Sequence, residues 1–358
     1  MSQADLSRAT GLAPSTVSNL VQRLVADGAL ATVRIDGRST GVKLARGADV
    51  AVGVDVGHRH ITVAVGSRAG RVHAQRRADI GANSSATVAA DLMSDLVREA
   101  LHEAGMGITE PVGIGLGLPT PIDRANLRIA APSILPGWVG VDLGDLLSQR
   151  LGVAVAVDND ANLGAIAEHH WGAGRGCDSL AYLKLSEGVG AGLIIDGHLY
   201  RGRQGIAGEI GHTTMDELGK VCRCGNRGCL ETLVAARAVV DLLEPLHGSG
   251  LTISDIARLA GLGDVACGRV LSDTGRYVGV AVANLVNVLN PGLIVVGGEL
   301  AQAGDFLIAP MREVIRRQGI PVATADLNIV TAQLGAVAHA FGAVLLALRH
   351  GDAEADSS

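Results

Sequence analysis

The run from Gly208 to Glu231 holds the densest chemistry in the chain. Three of the five cysteines stand within eight residues as Cys222-x-Cys224-x4-Cys229, and His212 lies ten positions ahead of the first. Three thiolates and one imidazole are the ligand set of a closed tetrahedral zinc site. Gly225 and Gly228 permit the tight path that such a site needs between Cys224 and Cys229. Four protein ligands leave no open position, so the expected zinc is structural and does not activate water. A redox pair or a chance cluster is the competing explanation, and the Gly-rich spacing disfavours it. Cys177 and Cys267 stand alone and read as ordinary buried thiols. Two carboxylates, Glu209 and Glu231, bracket the knot.

A second constellation is Asp158-Asn159-Asp160-Ala161-Asn162, directly after the apolar run Val153–Val157. A carboxylate flanked by amides can take a proton from a bound hydroxyl while the amides fix that hydroxyl. Asp160 can equally be the N-cap of the helix that follows, to about His170, and that is the commoner use of Asp there.

The elements that must position these groups follow from composition and pattern. The apolar share is 48%, rich in Ala, Val, Leu and Ile, with only 2% aromatic residues. That suits parallel strands buried under helices. The 49 glycines imply many close backbone approaches or positive φ angles. Strands are expected at 50–57, 60–65, 70–76, 112–121 (the last running into a rigid turn), 153–157, 180–185, 190–195 and 293–296, and helices at 84–104 and 332–349. Strands alternating with helices, twice over, predict two α/β lobes with a cleft between them. The first lobe is assigned residues 48–165, completed by the helix at 332–349. The second takes 166–331, including the knot. Asp55, Asn159, Asp160 and Gly297, at the carboxyl ends of strands, are expected to line the cleft.

Residues 1–47 read as a separate head. They carry six Lys or Arg against three Asp, leaving −9 for the rest of a chain whose net charge is −6. A basic head on an acidic body points to a polyanion partner for the head alone. A helix over Ser2–Ala9, a turn at Thr10-Gly11-Leu12 and a helix over Ser15–Asp27 precede a strand–turn–strand wing with Arg38 at its tip. In the second helix Val17, Leu20, Val21 and Leu24 form an apolar face. The other face shows Ser15, Thr16, Ser18, Asn19, Gln22 and Arg23, groups that can read base edges and phosphates in a major groove. A small helical interaction module is the alternative. A winged helix-turn-helix usually packs one more helix ahead of these two, and here the chain starts at Met1-Ser2. No apolar run reaches the roughly 18 residues that span a bilayer, and there is no signal-peptide start, so a cytoplasmic protein is expected.

Gly208-Glu209-Ile210-Gly211-His212, the cysteine knot, Leu230-Glu231 and Asp158-Asn159-Asp160-Ala161-Asn162 resemble the ROK family of repressors and sugar kinases. Leu135-Pro136-Gly137-Trp138, Asp196-Gly197-His198-Leu199-Tyr200-Arg201-Gly202 and Gly297-Gly298 fit the same pattern in the same order, so the resemblance covers nearly the whole chain. It implies an actin-like, sugar-kinase type fold of two α/β lobes, preceded in the regulator members by a winged helix-turn-helix. It places Asp160 where the kinases keep their general base. It also places Asn159, Glu209, His212 and Glu231 where sugar hydroxyls are held, with His212 shared between sugar and zinc.

The nucleotide side departs from the family pattern. Asp-x-Gly-Gly-Thr is replaced by Asp55-Val56-Gly57-His58-Arg59-His60, and Gly-Thr-Gly-x-Gly by Ser186-Glu187-Gly188-Val189-Gly190. A carboxylate about 4 Å from a phosphate oxygen costs roughly 4 kcal/mol at an effective dielectric of about 20, about a thousandfold in affinity. The expectation is therefore a zinc-supported, sugar-responsive repressor that binds operator DNA as a homodimer or homotetramer, without ATP and without a membrane. The alternative is an ATP-dependent hexose or N-acetylhexosamine kinase with Asp160 as base.

Overall fold

The structure, a computed structural model, describes residues 1–26, 30–36, 39–44, 49–81, 84–123, 129, 138 and 140–357. In the head, Ser2 and Asp5 form a reciprocal cap at the start of the helix Gln3–Thr10, which satisfies two of its orphan donors. Gly11 ends that helix at φ 71°, and Pro14 opens the next, Pro14–Ala26. Strands β1 (Leu30–Asp36) and β2 (Ser39–Leu44) pair antiparallel as the wing. The first residue joins it: the Val42 amide donates to Met1 O at 2.8 Å, and the Met1 ammonium donates to Val42 O at 3.0 Å.

The head core is narrower than the periodicity predicts. Val17, Val21 and Val42 are buried, with Leu6, Val25 and Leu30 against them. Leu20 and Leu24 are 45% and 40% exposed. The short first helix and the wing cover only the i, i+4 line through Val17, Val21 and Val25, so the i+3 positions stay outside. The expected stop at Asp27-Gly28, the wing tip Arg38 and the motif residues Leu135 to Gly137 lie outside the described residues.

The body is two five-stranded sheets. The first joins β3 (Val50–Val56), β4 (His60–Ser67), β5 (Val72–Asp79), β6 (Ile114–Leu118) and β7 (Val155–Asn159) in the order β5-β4-β3-β6-β7. The second joins β8 (Leu180–Leu185), β9 (Val189–Ile195), β10 (His198–Tyr200), β11 (Leu293–Gly297) and β12 (Asn328–Thr331) in the order β10-β9-β8-β11-β12. The plan is the same twice. The first strand of each set is central, with an antiparallel meander on one side and two parallel strands on the other. Every residue of β3 and β6 is buried, as helices on both faces require. The expected strand at 153–157 is displaced by two residues to 155–159, and the helix expected from 332 begins at Ala338, because β12 and a 3₁₀ turn occupy the intervening chain.

Helices Ala86–Glu103 and Leu143–Leu151 cover the outer face of the first sheet. Helices Ala236–His247, Ile253–Gly261, Val265–Leu289 and Asp305–Gln318 cover the second. Between the sheets lie Asp160–Trp171, against β8 and β9, and Ala338–Ser357, against β3 and β6. The expected lobe boundary between residues 165 and 166 falls inside the first of these helices. The buried Glu168 carboxylate, on the first of these helices, ties it to the turn that follows and to the segment leading into the second, by accepting from the amides of Ala173 (2.8 Å), Gln333 (3.1 Å) and Leu334 (2.7 Å).

The second helix sits so close that a Cβ on Gly115 of β6 would lie 2.0 Å from Ala343 O. Backbone cannot swing aside, so Gly115→Ala should cost about 1–3 kcal/mol as an overpacked core. A lowered urea midpoint of the purified body is the expected result. An unchanged midpoint would mean that the helix is not seated on β6.

Candidate functional site

The cleft opens at the carboxyl ends of β6 and β7. Asn159, Asp160, Glu209, His212 and Glu231 all line it, from three separate stretches of chain. Asn159 ends β7 and, in place of Asp160, caps the following helix: its Oδ1 accepts from the amides of Ala161 (2.9 Å) and Asn162 (3.4 Å). Its Nδ2 donates to Thr120 O at 3.1 Å, which leaves one N–H for a ligand. Freed from capping, Asp160 is 3% exposed and accepts a short hydrogen bond from Lys184 Nζ. Glu209 precedes and His212 ends a 3₁₀ turn, Ile210–His212. Glu231 opens the short helix Glu231–Val234.

Several cleft residues were not anticipated. Lys184 points inward from the otherwise apolar β8, and that lone cation in an apolar strand was the available signal. Arg223, between two of the cysteines, donates from Nε and Nη2 to the two oxygens of Glu231, both at 2.9 Å. Glu231 Oε2 also accepts from the Val189 amide at 3.0 Å. Thr120 is fully buried in the cleft wall, and among the described residues its hydroxyl has no hydrogen-bond partner. Asp158, beside the site, is braced by Asn162 Nδ2 (2.8 Å) and by Arg201, whose Nε and Nη2 donate at 2.8 and 2.6 Å. Asp55 turns away from the cleft toward His339, 3.7 Å distant. Burial would raise its pKa, but His339, Lys184 and His60 hold it below the ordinary value. Burial, then the charges of Asp160 and Glu231, pushes Glu209 up to about 7. Near neutrality it therefore both donates and accepts.

His212, Cys222, Cys224 and Cys229 converge, with one donor atom from each within 4.8 Å of every other. His212 Nδ1 is 3.6 Å from Cys222 Sγ, and the sulfurs of Cys224 and Cys229 are 3.7 Å apart. Metal–sulfur bonds of about 2.3 Å and metal–nitrogen bonds of about 2.0 Å at tetrahedral angles give edges of about 3.6 and 3.8 Å. The four residues therefore fit an ion of that size. Burial and the neighbouring sulfurs push Cys229 up to about 12 and raise Cys222 as well. A cation at the centre reverses that cost, because it favours the thiolates. The loop owes its path to Gly228, at φ 61°, where a Cβ would fall 1.5 Å from Asp216 O. His212 Nε2 faces Glu209 Oε2 at 3.8 Å, the outer-shell carboxylate that metal-binding imidazoles commonly have.

His247, Asp264 and Cys267 make a second group of three possible donors. There Asp264 already caps the helix Val265–Leu289 through the Cys267 amide (2.9 Å) and pairs with His247 at 3.4 Å, so helix capping accounts for it. Cys267 is fully buried as expected, whereas Cys177 is only half-buried. On the helix Pro14–Ala26, Ser15, Thr16, Asn19, Gln22 and Arg23 are exposed and Ser18 is half-buried.

The sequence profile of the ROK family matches residues 51–350, most of the chain. The chain belongs to the ROK family. The profile of the IclR helix-turn-helix domain matches residues 1–34, in front of the ROK body. A xylose repressor of Caldicellulosiruptor bescii is 30% identical, over 97% of this chain and 92% of the repressor. A glucokinase of Thermotoga maritima is 31% identical, over 79% of this chain and 92% of the kinase. A solved ROK family transcriptional regulator, described as a homolog of an Escherichia coli protein, superposes with a TM-score of 0.81 at 26% identity, covering 100% of this chain and 95% of that one. A ROK glucokinase from Streptomyces griseus, solved with glucose and AMPPNP, gives a TM-score of 0.75 at 29% identity, covering 84% and 99% of the two chains. The two-lobed actin-like architecture is thus common to ROK regulators and ROK kinases, and what separates them must lie in the head and in the cleft.

Proposed function

We propose that this chain is a sugar-responsive, DNA-binding transcriptional repressor whose cleft binds a sugar or sugar derivative and does not transfer phosphate. The observation that carries this is the contrast within one cleft. The wall of Asn159, Asp160, Glu209, His212 and Glu231 is intact, while Arg59 and Glu187 of the two altered phosphate turns face each other at 3.8 Å. Carboxylates, an amide and an imidazole suit a polyol, since each accepts from or donates to neighbouring hydroxyls. Thr120, with its unpaired hydroxyl, adds a further contact. Asp160, already engaged by Lys184, orients a hydroxyl more readily than it strips one of its proton. The repressor and regulator relatives, matched over nearly their whole length, support the same assignment.

In this proposal zinc occupies His212, Cys222, Cys224 and Cys229 and holds the imidazole and Glu231 in place, doing no chemistry itself. Ser15, Thr16, Ser18, Asn19, Gln22 and Arg23 face operator DNA, with Arg38 from the wing. A homodimer reads two half-sites, and sugar-driven movement of the lobes changes their spacing. Among the described residues no helix is long and apolar enough to cross a membrane, in keeping with a cytoplasmic regulator.

The test is a mobility shift with full-length, zinc-loaded protein and the DNA upstream of its own gene. A retarded band that responds to a panel of pentoses, hexoses and N-acetylhexosamines is expected, and no retardation at any fragment would reject the proposal. The kinase alternative is favoured by one observation, the position of Asp160 in a cleft shared with the glucokinase relatives. ATP-dependent phosphorylation of a panel sugar, lost in Asp160→Asn, would replace the sensor assignment.

A further inference from the structure

The duplicated sheet plan gives the two altered turns equivalent places: residues 57–59 join β3 to β4, and residues 186–188 join β8 to β9. From the first turn His58 reaches across the cleft to the metal loop of the other lobe, where its Nε2 lies 3.0 Å from Arg223 Nη1. We propose that His58 and Arg223 form a cross-lobe latch that positions Glu231, so that the ligand wall is complete only when the lobes are closed. The proposal rests on the sugar-sensor assignment of the cleft and names how that site is regulated.

The guanidinium fork explains why the latch acts on Glu231. Its Nε and Nη2 are both spent on the carboxylate, at 2.9 Å each, and Nη1 is left for His58. A planar fork held at all three nitrogens has one orientation, and it imposes that orientation on the carboxylate. Glu231 offers about four lone-pair directions. Arg223 takes two and the Val189 amide a third, which leaves one directed position for a ligand hydroxyl.

His58 must accept, and its protonation state allows it. Burial, then Lys184 and Arg223, depresses its pKa to about 3, so the ring is neutral throughout the physiological range. The neighbouring pair, Arg59 with Glu187, spans the same gap, but at 3.8 Å and with Arg59 67% exposed it adds little. His58 is thus a positioning residue: it acts on the ligand wall through Arg223.

The test uses full-length, zinc-loaded protein, with D-xylose and D-glucose as calorimetric probes and small-angle X-ray scattering of the sugar-free chain. His58→Ala and Arg223→Ala should each weaken sugar binding about 10- to 100-fold, the scale of a lost hydrogen bond to a charged group. The double variant should be no weaker than Arg223→Ala alone. His58→Gln, which keeps an acceptor, should recover most of the affinity. His58→Ala should retain its metal and scatter as a larger particle than the parent. Unchanged scattering, or purely additive losses in the double variant, would overturn the latch. Failure of the parent chain to bind any sugar would overturn the sensor assignment and its Glu231 role, while the scattering comparison would still decide whether the lobes are latched.

Discussion

Asp160→Ala is expected to destabilise the body by about 3–5 kcal/mol, the range for removing one partner of a buried ion pair. The side chains of Lys184 and Asp160 are 10% and 4% exposed, so alanine leaves a largely buried ammonium without its hydrogen-bonded partner. The rest of β8 is buried and cannot move it outward. The control is the double substitution Asp160→Asn with Lys184→Met. It removes both charges at similar volume and should regain most of the loss, because a well-packed neutral pair is often as stable as an ionic one. Urea midpoints of the parent, the single and the double variants are the measurement. A double variant no more stable than Asp160→Ala would show that the ion pair is not what the site depends on. The same experiment bears on mechanism, since a carboxylate committed to Lys184 is a poor candidate for proton abstraction.

Cys224→Ser should have the largest effect on ligand binding. Serine is a weak zinc ligand, and structural zinc sites contribute apparent binding energies of about 10–16 kcal/mol that are shared with folding of the surrounding loop. Losing one of three thiolates should remove the metal at micromolar zinc and loosen residues 208–231, which supply three of the five proposed sugar contacts. Metal content is expected to fall from one ion per chain to none, and sugar binding to become undetectable by calorimetry. The helices and wing of the head share no core with this loop, so DNA retardation should persist but no longer respond to sugar. Unchanged sugar affinity in a zinc-free variant would show that knot and pocket are independent.

The convergence of His212, Cys222, Cys224 and Cys229 was legible from sequence because the four lie in one short stretch, where spacing and glycines nearly dictate geometry. The membership of the cleft wall was legible for a different reason: each residue ends a strand or opens a helix, and open α/β sheets gather such ends at one crevice. Roles were harder to read than positions. Whether Asn159 or Asp160 caps a helix is decided by where the backbone turns helical, here one residue earlier than an Asp160 cap would require. The pairings of Lys184 with Asp160 and of Arg223 with His58 join residues 24 and 165 positions apart, and nothing local encodes them. His58 in particular read as an obstacle to phosphate, whereas in the folded chain it is a partner. Leu20 and Leu24 belong to the apolar face yet stay exposed, because periodicity reports such a face without saying how much protein is available to cover it.

The seating of helix Ala338–Ser357 on β3 and β6 also sets a timetable for synthesis. The strands it covers leave the ribosome long before it does. At about 5–20 residues per second, roughly ten to forty seconds separate Leu118 from Ala338. Through that interval the inner face of the first sheet, buried at every residue of β3 and β6 in the finished protein, has no cover of its own. The nascent body must therefore leave that face of its first sheet open until the helix Ala338–Ser357 has been made.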